Sequence, residues 1–122
     1  SEDMYYAAKS VMAGYKTAYL ADAMVRHSHN YSVVEEFNRY FDIGVFHADE
    51  DWIRKKFGGA GGEGKKFIFS EFSFLLKNDV LSIPLSMMHN FVKIIGYKLG
   101  QSYKYLPTIL VKKFSMHKRY WK

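Results

Sequence analysis

The run Ser32-Val33-Val34-Glu35 and the residues behind it constrain the fold more than any other feature of the chain. A serine whose hydroxyl can cap a helix amide, followed three residues later by a glutamate that can reach back, is the pattern of a helix start. Val33, Val34, Phe37, Tyr40, Phe41, Gly44 and Val45 then recur at the 3.6-residue period over more than three turns. This predicts one long helix with a single buried face. The aromatic stripe Phe37, Tyr40 and Phe41 reads as core, because its spacing is that of a packed face.

Other segments repeat the helical pattern. Met4, Tyr5, Ala8, Val11 and Met12 predict a short helix capped by Gly14. A second short helix is expected from about Asp49 to Phe57, ending at Gly58, with Asp49-Glu50-Asp51 as its solvated start. Residues 65–78 and 84–99 read as helices, the latter opened by Pro84 and carrying Met88, Phe91, Val92, Ile95 and Leu99 on one face. Met87, Met88 and His89 read as helix packing. Pro107 opens a basic helical stretch. Gly58 to Gly64 is taken as a flexible surface loop, since no strand precedes it as a phosphate-binding loop requires. Tyr15–Leu20 and Ala23–His27, rich in Tyr, Val and Thr, predict a short strand pair. The fold expected is therefore mainly α, with a strand pair near the N-terminus, divided into residues 1–31 and a helical region 32–122.

With 48% hydrophobic and 18% aromatic residues in 122, the chain can bury a core. The absence of cysteine excludes disulfides and thiolate catalysis and leaves metal binding to His, Asp and Glu. No apolar run approaches the roughly 20 residues of a membrane span, so a cytoplasmic chain is expected. Charge is uneven. Residues 1–79 carry a formal charge of −2 and residues 80–122, without one acidic side chain, carry +8. Such a block favours an anionic partner, either a membrane surface or nucleic acid. Lys98, Lys104, Lys112, Lys113, Lys118, Arg119 and Trp121 are the candidate contacts, with docking to a membrane surface favoured because no nucleic-acid motif is present. Phe67, Phe69, Phe72 and Phe74 surround their helix, which leaves some exposed toward another domain, a second copy or lipid.

Two constellations could carry chemistry. Glu2-Asp3 at a helix start complements the helix dipole, and in a cleft the same carboxylates could serve as a general base. His27-Ser28-His29 places two imidazoles on one strand face, where they could reach a divalent ion or a diphosphate; a pair of partly exposed histidines is the plainer alternative, because a metal site needs further ligands.

Taken in order, Ser1-Glu2-Asp3, Ala13-Gly14-Tyr15-Lys16 and Tyr19-Leu20-Ala21-Asp22-Ala23-Met24-Val25-Arg26-His27-Ser28-His29 resemble the C-terminal third of family-two, GT-A-type glycosyltransferases. The resemblance continues through Arg39-Tyr40-Phe41-Asp42-Ile43-Gly44, Gly96-Tyr97-Lys98-Leu99-Gly100, Leu106-Pro107 and Ser115-Met116-His117 to Tyr120-Trp121. It looks like the rhamnosyltransferase group that builds O-antigen and capsular polysaccharides. What the resemblance implies is a C-terminal fragment of an α/β enzyme that inverts a sugar, with a nucleotide-sugar donor and a lipid-linked glycan acceptor. Asp3 would be the base, with Glu2 helping to position it, and His27 a ligand to a divalent metal, Mg or Mn, with His29 on the metal or on phosphate. The family's Asp-x-Asp metal motif and nucleotide-binding half precede this region, so the chain alone is expected to be inactive, working at the inner face of the plasma membrane as part of a longer protein. A small basic module that binds nucleic acid and a dimerisation piece are the rival readings.

Overall fold

The computed structural model describes residues 2–24, 30–59 and 61–121 and divides the chain into two compact units, residues 1–30 and 31–122. In the first unit, α1 (Glu2–Met12) ends where Gly14 takes φ 88°, a left-handed conformation open to glycine. Beyond it Tyr15–Leu20 is neither helix nor strand, and a turn follows at Ala21-Asp22.

The expected strand pair is thus not observed, and no strand occurs among the described residues. The part of the second run from Val25 to His27 lies outside them. The reason for the error is physical: Tyr, Thr and Leu favour strands only where a pleated neighbour covers them and a ladder takes up their backbone groups. Here Tyr15, Tyr19 and Leu20 are all exposed.

The second unit is helical throughout its described regular structure: α2 (Val33–Asp49), α3 (Asp51–Phe57), α4 (Gly61–Asn78), α5 (Ile83–Gln101) and α6 (Thr108–Phe114), with 3₁₀ turns at Val80–Ser82 and Tyr103–Tyr105. The capping box forms as the sequence requires. The Ser32 hydroxyl accepts from the Glu35 amide at 3.3 Å, and the Glu35 carboxylate accepts from the Ser32 amide at 2.9 Å. These bonds from Ser32 hold the Glu35 carboxyl below its usual range, the backbone bond having the largest effect.

The long helices α2 and α5 pack against each other so closely that glycine is required at three places. A Cβ on Gly100 would collide with the Phe41 carbonyl oxygen, and one on Gly44 would collide with that of Tyr97. On Gly96 it would lie 2.5 Å from the Phe37 carbonyl oxygen. Backbone therefore meets backbone at this contact, which fixes its register without large side chains. Phe41 is fully buried beside it (0% exposed) and forms the core with Val45 and Val111, covered by Leu99, Tyr103, Leu106, Phe114 and Trp121. The Phe114 ring stands edge-on to Phe37 at 5.3 Å and to Phe41 at 5.7 Å.

Two differences from the sequence expectation have local causes. The glycine segment is shorter as a loop, because α4 already includes Gly61, Gly62, Glu63 and Gly64. Glu63 in the first turn suits the helix dipole, and first-turn positions do not depend on intrahelical donors as interior ones do. Met87, Met88 and Phe91 are exposed rather than packed, because α5 turns His89, Lys93, Gly96 and Gly100 toward α2 instead. Phe67, Phe69, Phe72 and Phe74 are all exposed on α4.

Candidate functional site

In the first unit, Glu2 and Asp3 stand in the first turn of α1, both exposed. The Asp3 carboxylate accepts a hydrogen bond from the Met4 amide at 2.8 Å, which ties one oxygen to the helix start. A shallow concavity in the same unit is lined by Tyr6, Lys9, Ser10, Tyr15, Lys16 and Thr17; neither acid lines it. His27 and His29 lie outside the described residues. Among the described residues no group of three His, Asp or Glu side chains is placed to hold a metal ion. The donor set for a divalent cation is accordingly not met by them alone.

In the second unit the expected basic contacts separate into two kinds. Lys98, Lys113, Lys118 and Arg119 are exposed and Lys112 is partly covered. Lys104, however, lies 3.3 Å from Asp49, whose carboxylate also accepts from the Tyr103 hydroxyl at 2.7 Å. Burial, together with this carboxylate, pushes the Tyr103 phenol up to about 12. Trp121 belongs to the fold: its ring packs 5.4 Å from Tyr103 and 5.3 Å from Tyr120, and it closes over the Phe41 core. The Asp49-Glu50-Asp51 run is likewise more engaged than a solvated start, since Glu50 accepts from the Trp52 indole at 2.6 Å.

Two polar centres escaped the sequence reading. The first is a latch on the C-terminal segment. Asp42 on α2 accepts from the Met116 amide at 3.0 Å and from Ser115, a serine only 1% exposed, while the Ser115 hydroxyl accepts from the His117 amide at 3.0 Å. Burial raises the Asp42 carboxyl above its ordinary range, although the bonds from Ser115 and Met116 and the nearby His117 pull it the other way. The second centre is the Tyr97 hydroxyl. Arg54 from α3 and Gln101 (3.3 Å) donate to it, and the His47 Nδ1 lies 2.9 Å away. With two donors already on the oxygen, the hydroxyl proton is directed to Nδ1, which requires neutral His47 with its proton on Nε2. Burial and the Arg54 charge both lower the His47 pKa, in agreement with that state.

These centres join motifs far apart in sequence. Arg39 to Gly44 meets Gly96 to Gly100 at the close helix contact, and Asp42 meets Ser115-Met116-His117 at the latch. The motifs after residue 31 thus serve packing, whereas the candidate chemical residues all fall in the first thirty. The only signal that could have disclosed the contact beforehand is the pair Gly96 and Gly100, four residues apart on one helix face.

The chain is similar to two curated proteins. It is 56% identical over 121 residues to the O-antigen chain rhamnosyltransferase RfbN of Salmonella typhimurium (strain LT2), a match covering 99% of this chain and 38% of that protein. It is 54% identical over 121 residues to the O-antigen chain rhamnosyltransferase WbaN of Salmonella anatum, again covering 99% of this chain and 38% of the relative. The chain therefore spans about 38% of the length of the curated relatives it matches. No protein-family profile matches it, and no solved structure does.

Proposed function

We propose that this chain is the C-terminal part of an O-antigen rhamnosyltransferase, a GT-A-type enzyme that transfers rhamnose with inversion from a nucleotide-activated donor to a lipid-linked glycan. The observation that carries this reading is the 56% identity over 121 residues to RfbN, named as such an enzyme. The order of the Glu2-Asp3, Gly14-Tyr15 and His27 motifs supports it. The role for this part is to supply the base: Asp3 takes the proton of the acceptor hydroxyl as that oxygen bonds to the anomeric carbon. The bond from that carbon to the diphosphate breaks, and its electron pair leaves with the nucleoside diphosphate. An exposed carboxylate, held at a helix start by the Met4 amide, is accessible for this step. Glu2 sits beside it to position the acceptor.

A divalent ion, Mg or Mn, would offset the charge of the leaving diphosphate, and His27, with His29, is the imidazole this chain would offer it. The described residues do not complete such a site. Work on a lipid-linked acceptor would place the protein at the inner membrane surface, where the exposed Lys98, Lys113, Lys118 and Arg119 suit anionic headgroups.

The test is an exchange. The chain replaces the matching 121 residues of the Salmonella typhimurium relative, and rhamnose transfer is assayed. Transfer by the chimera, and its fall by about 100-fold or more on Asp3→Asn with donor binding unchanged, is the expected result. A chimera that transfers equally well with Asp3→Asn removes Asp3 from the mechanism. A folded chimera that transfers nothing counts against the whole reading.

A further inference from the structure

Helix α5 carries two separate stripes. His89, Lys93, Gly96 and Gly100 turn toward α2, whereas Ile83, Met87, Asn90 and Ile94 line an apolar groove of about 290 Å³ whose other wall is α4. On α4 the matching residues are Ile68, Phe72 and Leu75. Both sets alternate in steps of four and three, 68, 72 and 75 on one helix and 83, 87, 90 and 94 on the other. That is the spacing of side chains that meet in the core of a helical bundle. The two helices, joined as a hairpin through the 3₁₀ turn at Val80–Ser82, do not close this seam on each other. Asn90, at one of the seam positions, donates to Glu71 at 2.7 Å, and a polar residue in such a seam fixes the register of what packs there.

Three properties of the groove select what closes it. The first is area. Phe69, Phe72, Met87, Phe91 and Ile94 border it and range from 41% exposed at Phe72 to 73% at Phe69. At about 200 Å² for a large side chain, they leave roughly 500–600 Å² of apolar surface in water. A specific pair of proteins buries about 800 Å² on each partner, about two-thirds of it apolar when the chains are identical, so the groove alone supplies the apolar core of such a contact. The second is charge. Between residues 67 and 92 the acidic and basic side chains are Glu71, Lys77 and Asp79, with no other Asp, Glu, Lys or Arg. Two such faces repel each other little, and neither offers the cluster of lysines that draws anionic headgroups. The third is symmetry. The two walls share one spacing and one kind of side chain, so a copy turned through 180° sets α4 against α5 and α5 against α4, the self-complementary arrangement of a twofold dimer.

We infer that two copies of the chain dock their α4–α5 hairpins face to face about a twofold axis and close the seam as a four-helix bundle. This goes beyond the transferase reading and does not depend on it. The packing of α5 on α2 is left intact, since Gly96 and Gly100 lie on the other stripe.

The experiment is the native mass of the intact protein by analytical ultracentrifugation over a range of concentrations, without donor, acceptor or lipid. A mass that doubles is expected, with the dissociation constant raised about 100-fold by Met87→Glu with Phe91→Glu and little changed by Met87→Leu. Both positions are exposed, and unchanged helicity by circular dichroism shows that the charged variant folds. A mass that stays that of one chain at every concentration overturns the inference and assigns the groove to another part of the same polypeptide or to lipid. A dimer that forms equally well in the charged variant places the contact on a different face and overturns it too. Sugar transfer is not measured, so either failure leaves the transferase reading standing.

Discussion

Helix α5 has two neighbours and treats them differently. Toward α2 it presents Gly96 and Gly100, and the backbones come into contact; toward α4 it presents Met87, Phe91 and Ile94, and a groove remains between them. The bulkier and more apolar interface is the looser one. Apolar side chains stabilise only to the degree that something takes them out of water, whereas a glycine contact is defined by what it excludes. The α2–α5 pair is therefore the part of the unit with one defined arrangement. The α4–α5 pair is where a partner can still be accommodated.

The difference can be broken by substitution and denaturant unfolding. The largest effect belongs to Phe41→Ala, which opens a cavity in the closed interface and is expected to cost about 4 kcal/mol, against under about 1 kcal/mol for the largely exposed Phe91→Ala in the open one. Similar costs at both positions would abolish the distinction. Gly100→Ala comes next, at about 2 to 3 kcal/mol despite the better helix propensity of alanine, because its Cβ has no room beside Phe41. An unchanged midpoint would show that the helices can separate cheaply.

A smaller effect concerns Tyr97. Burial, and after it the Arg54 charge, lowers the folded pKa of His47, so below the unfolded value near 6.5 the unfolded chain binds more protons than the folded one. Stability should accordingly be fully present above about pH 6.5 and decline as the pH falls toward the folded pKa. Tyr97→Phe should cost about 1 kcal/mol at neutral pH through its lost hydrogen bonds, and Arg54→Gln, which removes the charge beside His47, should reduce the decline, both measured as unfolding midpoints from pH 5 to 8. Smallest is Gly62→Ala in the first turn of α4, where a Cβ meets nothing within 4 Å; it should stabilise by about 0.5 kcal/mol, opposite in sign to Gly100→Ala.

What the sequence disclosed follows the range of each interaction. The Ser32 box and the Gly14 and Gly58 stops depend on neighbours within a turn or two, and all form; the α2 stripe forms from Phe37 to Val45, while Val34, expected on the buried face, is exposed in the first turn. The Gly44–Gly100 contact and the Asp42–Met116 latch join residues more than fifty positions apart, and no local pattern foretold either pairing. Propensity misled where tertiary cover decides, as at Tyr15–Leu20. For Asp3 the position at a helix start was legible, while its role in catalysis rests on resemblance and on the proposed exchange.

The packing of Trp121 between Tyr103 and Tyr120 makes the tail its own optical reporter. Phenols so near an indole pass their excitation to it, and a covered indole emits at shorter wavelength than a wet one. Release of the tail from Asp42 and the core would red-shift this emission and weaken the transfer. Because Trp52 is the only other tryptophan in the 122 residues, Trp52→Phe would leave a single emitter through which attachment of the tail can be followed in real time.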